Sequence, residues 1–257
     1  MHAKTSAQIH SPYLFALLQF IHDRTRRYYV FDTIEQVRAE LMRRDDEVEN
    51  VDYGAGSKIK RRRTVKAVAQ TSLSSAAQCQ TIFRLITYQK PHTILELGTS
   101  LGIMSAYLAA VNKETTVHTV EGNPSLSAIA SDIASRLGLT NITFYTGRFS
   151  VLVPKLTEII DKIDFLLIDG DHRGESLKEY FMMLKPILSI NAIVMIDDIR
   201  WSADMYIAWN AILQDTDVTC SLDYFSFGLL FFQKDFLDPI HVKIMPPLSS
   251  RLLVDRL

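Results

Sequence analysis

Cysteine is scarce in this chain of 257 residues, which contains only Cys79 and Cys220. The two lie far apart and match no metal-binding spacing, so a disulfide-stabilised domain and a cysteine-based zinc site are both disfavoured. We expect two buried free thiols in a reducing compartment. No apolar run reaches the roughly 18 residues of a membrane-spanning helix, and the first residues lack the charged-then-apolar arrangement of a signal peptide. The expectation is a cytoplasmic protein without a membrane partner.

An excess of charge is also lacking. The 28 Lys and Arg residues against 29 Asp and Glu residues give a formal net charge of −1. This balance provides no general attraction for nucleic acid, so a nucleic-acid partner is disfavoured. Hydrophobic residues make up 47% and charged residues 22% of the chain, which is typical of a globular protein. The length suits one domain with additions.

From about residue 76 onward, strand-like and helix-like segments alternate. The predicted strands are residues 93–97, 116–121, 142–145, 163–168 and 192–196, and the helices include residues 124–137, 175–185 and 202–213. Such alternation predicts an α/β fold with a mostly parallel sheet covered by helices on both faces. Two later runs, residues 218–222 and 225–233, have no helix between them and predict an antiparallel hairpin at the sheet edge.

Three regions follow from these patterns. Residues 1–75 are expected to form an N-terminal helical cap, with apolar helical patterns at 12–22 and 33–42. Residues 76–235 form the α/β domain, and residues 236–257 form a tail over the surface. A basic run at residues 58–63 is interpreted either as a solvated face or as a lid over a bound ligand.

The most informative motif is the glycine turn after the first strand of the α/β domain, which reads Glu96-Leu-Gly98-Thr-Ser-Leu-Gly102. Glycine allows backbone to approach a ligand closely, and the following helix offers free N–H groups. The dinucleotide fingerprint G-x-G-x-x-G is not met, because Ser100 and Ile103 occupy its second and third glycine positions, so NAD and FAD are disfavoured. Glu121 ends the next strand, where an acidic residue can hold ribose hydroxyls.

On these residues the chain resembles the class I S-adenosylmethionine-dependent methyltransferases. The resemblance implies a Rossmann-like, seven-stranded, mostly parallel sheet with an antiparallel edge hairpin, and S-adenosylmethionine as cofactor. It implies that the following residues contact the cofactor: Glu96, Gly98, Thr99, Ser100, Gly102, Glu121, Gly147, Phe149 and Asp169. The carry-over is weakest after the third strand, where Arg148 replaces the usual acid or amide. The alternative for the motif is an ordinary tight strand–helix turn.

Two further strand ends are rich in acids. Asp169-Gly-Asp171-His172 follows the fourth strand and Asp197-Asp198 follows the fifth. Neighbouring strands lie about 4.8 Å apart, so these carboxylates are expected to crowd together and raise one another's pKa values. A hard divalent cation with oxygen ligands relieves that repulsion. An all-carboxylate set favours Mg²⁺, Mn²⁺ or Ca²⁺ over zinc.

This pairing resembles the metal-dependent O-methyltransferases of the catechol and caffeoyl-CoA type. The resemblance implies Asp169, Asp197 and Asp198 as metal ligands, with Asp169 and His172 as catalytic residues. His172 stands near the position of the family's lysine base, and a neutral imidazole can accept a hydroxyl proton near pH 7. Asp198 replaces an asparagine, as in bacterial small-molecule and sugar methyltransferases. The alternatives are that Asp198 or Ser202 caps the helix that follows, that Asp171 caps the helix from residue 175 or supports the turn, and that His172 is a surface residue.

The sequence therefore predicts an S-adenosylmethionine-dependent O-methyltransferase for a small hydroxylated molecule, assisted by Mg²⁺ or a similar cation. One alternative is a metal-independent methyltransferase on a sugar, lipid or nucleic acid. Another is a protein that binds S-adenosylmethionine without catalysis. Composition does not decide whether the chain forms a homo-oligomer.

Overall fold

The N-terminal part of the chain is mainly helical in the computed structural model, which describes residues 11–50, 61–233 and 239–244. Its helices are α1 Pro12–His22, α2 Tyr29–Leu41, α3 Val65–Ser72 and α4 Ala76–Gln89. Ser11 caps α1 by accepting a hydrogen bond from the Leu14 backbone N–H (3.3 Å), and Pro12 opens the helix. Helix α1 packs on α4 through buried side chains: Leu14, Leu17, Leu18 and Ile21. The helical cap expected here is present, and the predicted boundaries of its first helix match.

A two-stranded antiparallel ribbon joins these helices. It pairs β1 Glu47–Asn50 with β2 Arg61–Thr64. The last three residues of the basic run therefore lie in a strand, whereas residues 58–60 lie outside the described part of the chain. Arg62 pairs with Glu47 across the ribbon (Nη1···Oε2 3.4 Å). Opposite charges on facing strands stabilise such a pair modestly, which explains how two charged segments form a sheet.

The central sheet contains eight strands among the described residues. They are β3 Thr93–Leu97, β4 Thr116–Glu121, β5 Ile142–Thr146, β6 Ile163–Ile168, β7 Leu188–Ile196, β8 Cys220–Asp223, β9 Gly228–Phe231 and β10 Ile240–Lys243. Their spatial order is β10-β8-β9-β7-β6-β3-β4-β5, and β9 runs antiparallel to both its neighbours. The predicted Rossmann-like fold is confirmed.

One strand exceeds the seven expected. The predicted hairpin is β8 and β9, but β10 from the tail pairs in parallel with β8 and forms the outer edge. The hairpin is therefore not the sheet edge. The sequence pattern did not predict this strand, because β10 is only four residues long. It is an edge strand that pairs with β8 alone.

Helices cover both faces of the sheet. They are α5 Ile103–Ala109, α6 Pro124–Arg136, α7 Phe149–Ile159, α8 Gly174–Leu184 and α9 Ala203–Ile212. Alternate residues of each strand face opposite layers: Ile94 and Phe165 pack with α1, α2, α4 and α5, whereas Leu95 and Leu166 pack with α7, α8 and α9. This alternation follows from the two-residue period of a strand. The layers hold the strand ends in fixed positions.

The two cysteines and the helix lengths were both subjects of sequence predictions. Cys79 and Cys220 are both buried free thiols, and burial raises the pKa of each to about 12. Over the described ranges, none of the helices is both long enough and apolar enough to span a bilayer.

Candidate functional site

The candidate site lies at the carboxyl ends of the central strands, where the strand order reverses. Strand β3 has β4 on one side and β6 on the other. A reversal of this kind leaves a crevice above the strand ends, and crevices at this position bind ligands in open α/β sheets. The residues predicted to hold cofactor or metal all lie on or just beyond these ends.

The glycine turn after β3 is held against its two neighbouring strands. The backbone N–H groups of Gly98 and Thr99 donate to the Val120 carbonyl, at 2.9 and 3.2 Å. Gly98 has a φ of +113°, and a Cβ there would collide with the carbonyl oxygen of Asp169. Glycine is therefore needed at this position to bring the ends of β3 and β6 together.

Gly102 serves the packing of the helix that follows. Its φ is +79°, and an added Cβ would lie 2.7 Å from the Ala130 Cβ on α6. Both glycines of the motif thus have packing reasons in addition to the ligand approach that the sequence suggests. The ordinary strand–helix turn explains the glycines but not the polar atoms beside them.

Two polar atoms at the glycine turn are buried without partners. In the described part of the chain only three buried side-chain polar atoms lack a hydrogen bond, and two of these are Glu96 Oε1 and Ser100 Oγ. The other oxygen of Glu96 accepts hydrogen bonds from the hydroxyls of Ser105 and Thr119. Burial raises the pKa of Glu96 to about 7, and the two hydroxyl donors oppose that rise. Because buried polar groups normally have partners, these two atoms point to a polar ligand.

The side chain of Thr99 points into the interior below the glycine turn. Its hydroxyl lies 2.5 Å from the Thr119 hydroxyl, and its side chain is buried. Thr99 therefore faces the interior network around Glu96, so only its backbone remains to face a ligand.

Glu121 links the end of β4 to the glycine turn. One carboxylate oxygen accepts the Ser100 backbone N–H and the other accepts the Asn123 backbone N–H, both at 2.8 Å. Burial raises the pKa of Glu121 although these backbone donors oppose it. Asn123 also caps α6 and donates to the Glu49 carbonyl of β1 (2.6 Å). The predicted ribose-binding carboxylate is thus fixed in place before any ligand binds.

The residues after β5 lie beside the same crevice. The Gly147 backbone N–H donates to the Glu121 carbonyl at 2.9 Å. Phe149 opens α7, and a Cβ on Gly170 would lie 2.6 Å from its ring. Arg148 is exposed at the N-cap of α7. Phe149, one of the predicted cofactor contacts, therefore covers the backbone just after Asp169.

Two carboxylates and one imidazole come together beyond β6 and β7. Potential ligand atoms of Asp169, His172 and Asp198, called here the strand-end cluster, all lie within 4.8 Å of one another. His172 Nε2 is 3.7 Å from Asp198 Oδ2. Burial raises the pKa of Asp169 well above its usual value, and the neighbouring carboxylates of Asp197 and Asp198 raise it further.

Asp197, the third predicted metal ligand, is not among the three residues of the strand-end cluster. One of its oxygens accepts a hydrogen bond from Gln78 Nε2 on α4 (2.7 Å), and the other accepts the Asp198 backbone N–H (2.9 Å). Its exposed fraction is only 7%. Burial, together with the Asp198 carboxylate, raises the pKa of Asp197 to about 7. Gln78 is not predictable from the sequence, because it lies 119 residues from its partner and belongs to no motif.

The structure shows whether Asp171 and Asp198 act as helix caps or as turn supports. Asp171 has a φ of +56°, and its carboxylate pairs with the Arg173 guanidinium (2.6 Å), so it supports the turn. Ser202 caps α9 by accepting the Met205 backbone N–H (3.1 Å). A carboxylate of Asp204 accepts the Gly174 backbone N–H at the start of α8 (2.6 Å). Neither helix therefore uses Asp198 as its cap.

An aromatic wall stands next to the strand-end cluster. The Trp201 ring centroid lies 5.4 Å from that of His172, and the Trp201 side chain is 65% exposed. A shallow cavity of about 250 Å³ is lined by Asp198, Arg200, Trp201, Phe225 and Ser226. Trp201 is not packed into a helix interface, so it is available to a molecule that enters this cavity.

Comparison with known proteins concerns the central part of the chain. Residues 95–199 match the sequence model of a family described as Methyltransferase domain (Methyltransf_24). A segment of 54 residues is 41% identical to the protein-L-isoaspartate O-methyltransferase of Magnetococcus marinus. That segment covers 21% of this chain and 23% of the relative, so the chain spans less than a quarter of its curated relative.

Solved structures share the fold. An O-methyltransferase from Bacillus cereus in complex with SAH has a TM-score of 0.61 at 17% identity, over 85% of this chain and 97% of its own. TomG, an O-methyltransferase of Streptomyces achromogenes involved in tomaymycin synthesis and solved with SAM, has a TM-score of 0.61 at 16% identity. It aligns over 85% of this chain and 96% of its own. At these identities the likeness establishes the fold.

Proposed function

We propose that this protein is an O-methyltransferase that uses S-adenosylmethionine to methylate a small hydroxylated molecule, assisted by a divalent cation. The match of residues 95–199 to a methyltransferase-domain family supports the proposal. One observation carries the proposal. The unpartnered polar atoms of the glycine turn lie at the same sheet edge as the strand-end cluster. A methyl donor and an acceptor bound at these two places would meet above the ends of β3 and β6.

The residues at the glycine turn fit S-adenosylmethionine. Glu121 ends the strand next to the turn, where an acidic residue can hold ribose hydroxyls. Glu96 and Ser100 each supply one buried polar atom that has no hydrogen-bond partner among the described residues. The cofactor brings a methyl group already activated by its sulfonium. The protein therefore has mainly to bind and orient the two reactants, and orientation alone can account for several kcal/mol of a barrier, roughly 7–11 in favourable cases.

The strand-end cluster fits a divalent cation. Potential ligand atoms of Asp169, His172 and Asp198 lie within 4.8 Å of one another, and burial raises the pKa values of both carboxylates. A bound cation would supply Lewis acidity that lowers the pKa of an acceptor hydroxyl. Asp169 and Asp198 would hold it, and His172 has two possible roles: the proton acceptor that the sequence suggests, or a ligand.

The cavity beside the cluster supports a small acceptor. Its volume of about 250 Å³ suits a molecule of about one ring, and Trp201 and Phe225 present exposed aromatic surface to it. Aromatic and apolar side chains with a few polar groups typically line small-molecule sites. Asp198 lines the cavity, so a hydroxyl of the bound molecule can reach the cluster.

The test is transfer of a radiolabelled methyl group from S-adenosylmethionine to a panel of hydroxylated aromatic, sugar and lipid acceptors. Transfer that stops in EDTA and in Asp169→Asn, but persists in the exposed-residue control Asp132→Asn, would support the whole proposal. Transfer unchanged by EDTA and by Asp169→Asn would refute the metal-assisted part. Binding of the cofactor with no transfer to any acceptor would indicate a binding protein instead.

A further inference from the structure

We infer that the methyl acceptor carries an anionic group, and that Lys243 on β10 binds this group in a cavity next to the one that reaches the strand-end cluster. The inference rests on the proposed function and narrows its acceptor to a hydroxylated aromatic acid. Lys243 lies on the strand that exceeds the seven expected. This end of the acceptor site therefore belongs to an addition that this chain makes to the predicted sheet.

Two cavities adjoin at the tip of the hairpin of β8 and β9. The smaller one begins at Asp198 of the strand-end cluster. The larger one has a volume of about 510 Å³. The residues that line it are Arg200, Ser202, Ala203, Tyr206, Phe225 and Lys243. Because Arg200 and Phe225 line both cavities, a single molecule can extend from Asp198 at one end to Lys243 at the other.

Lys243 brings a positive charge to the larger cavity that no carboxylate balances. It pairs in register with Asp223 of β8, so the two side chains leave the sheet on the same face. Both Asp223 oxygens already accept hydrogen bonds from the Arg200 guanidinium, at 2.8 and 2.6 Å. The Lys243 side chain forms no hydrogen bond or ion pair with the other residues that the structure describes. Two cations therefore share one carboxylate, and the described lining of the cavity includes no acid.

The hairpin tip presents a fixed aromatic ring between these two ends. Phe225 has a φ of +72°, which is uncommon for an aromatic residue. Its carbonyl accepts a hydrogen bond from Arg200 Nη1 (2.8 Å), and its backbone N–H donates to Asp223 Oδ1 (2.9 Å). These bonds hold the strained backbone while the side chain stays 58% exposed. Strain of this kind is concentrated at ligand sites, and the exposed ring offers a face on which an aromatic acceptor can stack.

Arg200 positions this surface and leaves the anion to Lys243. Its guanidinium lies between the rings of Tyr206 and Phe225, at 5.0 and 4.9 Å from their centroids, and its charge is offset by Asp223. Lys243 is the other cation of the lining, and its flexible side chain can follow an anionic group. The first residues of α9 also line the cavity, and the start of a helix favours anions modestly.

The experiment compares three probes that share a dihydroxyphenyl ring and differ in charge: dihydroxyphenylpropionate, its neutral amide, and dopamine as the cation. Calorimetry with the full-length protein measures the dissociation constant of each probe, once with SAH and Mg²⁺ present and once with neither. We expect the wild type to bind the propionate about tenfold more tightly than the amide, which is the effect of one hydrogen bond to a charged group. Dopamine should bind more weakly than the amide.

Variants of Lys243 test the role of its charge. Lys243→Gln should bind the propionate and the amide with equal affinity, whereas Lys243→Arg should keep the preference for the propionate. Lys243→Glu should bind dopamine more tightly than the propionate, a reversal that lost packing alone does not produce. Lys113→Gln, at an exposed lysine between α5 and β4, is the matched control and should behave as the wild type does.

Equal affinity of the wild type for the propionate and the amide would overturn the inference, as would a preference that survives in Lys243→Gln. Failure of the wild type to bind any of the three probes would overturn it as well. Binding of SAH to the same preparations, with transfer of labelled methyl to the acceptor panel, separates the two proposals. Protein that binds SAH and transfers methyl but shows no preference for the propionate refutes only the inference. Protein that prefers the propionate through Lys243 but binds no SAH refutes only the methyltransferase proposal.

Discussion

Replacing Glu96 with glutamine is expected to change how the stability of the protein depends on pH. Glu96 is fully buried, and burial raises the pKa of its carboxyl from 4.5 to about 7. In the unfolded chain this carboxyl has its ordinary pKa of 4.5 and loses its proton near that pH. Between pH 4.5 and 7 the folded state therefore holds a proton that the unfolded state has lost, so stability falls as pH rises through this window. The full loss is present above pH 7.

The size of the effect follows from the two pKa values. The difference between 4.5 and about 7 corresponds to about 3 kcal/mol, since each pKa unit is worth about 1.4 kcal/mol. Glutamine is neutral throughout this range. Relative to the wild type, the free energy of unfolding of Glu96→Gln should therefore rise by about 2.5 kcal/mol from pH 5 to pH 8, because the wild type has already lost part of the total below pH 5.

The assay is urea unfolding of both proteins at pH 5, 6, 7 and 8, without cofactor or metal. Other buried carboxyls with raised pKa values, such as Asp169 and Asp197, titrate in both proteins and largely cancel in the difference. Glu158→Gln, at an exposed position of α7, is the matched control. Its free energy of unfolding should differ from that of the wild type by the same amount at every pH. If the difference in free energy of unfolding between Glu96→Gln and the wild type changes by less than about 1 kcal/mol from pH 5 to pH 8, the burial argument is refuted.

Two further substitutions test the packing at the site. Gly102→Ala should destabilise the protein by about 1–3 kcal/mol more than Gly138→Ala in urea unfolding. Both glycines have a positive φ, but only a Cβ at Gly102 would meet another residue. Equal losses of stability in the two variants would contradict the packing role of Gly102. Asp164→Ala should lower the free energy of unfolding by about 1–3 kcal/mol, because this carboxylate accepts two backbone N–H groups at the start of β3, at 2.9 and 3.0 Å. The control is Asp161→Ala, at an exposed neighbouring residue. If the unfolding midpoint changes no more in Asp164→Ala than in this control, the two hydrogen bonds contribute little.

The strands that carry the site could be predicted from the sequence because their signals are local. The ranges 93–97, 116–121 and 163–168 match β3, β4 and β6 in full, since short segments rich in β-branched and apolar residues between turns are typical of strands. The positions of Glu96, Glu121 and Asp169 followed directly, because each lies on or just after such a strand.

The remaining features depend on contacts between distant residues. The orientation of Asp197 is set by Gln78 on a helix far away in the chain, and no spacing pattern reveals that pair. The same holds for the ribbon of β1 and β2, whose charged segments become complementary only when paired. The sequence could place acids at the strand ends, but the hydrogen bonds that make one carboxylate differ from another appear only in three dimensions.

Binding of S-adenosylhomocysteine measured by isothermal titration calorimetry tests the central claim most directly. We expect one molecule bound per chain in the wild type and in Glu114→Ala, an exposed control. Glu121→Ala should bind about 10- to 100-fold more weakly, because a hydrogen-bonding carboxylate contributes about 1.5–3 kcal/mol. Absence of binding in the wild type, or equal affinity in Glu121→Ala, would contradict a cofactor site at the ends of β3 and β4.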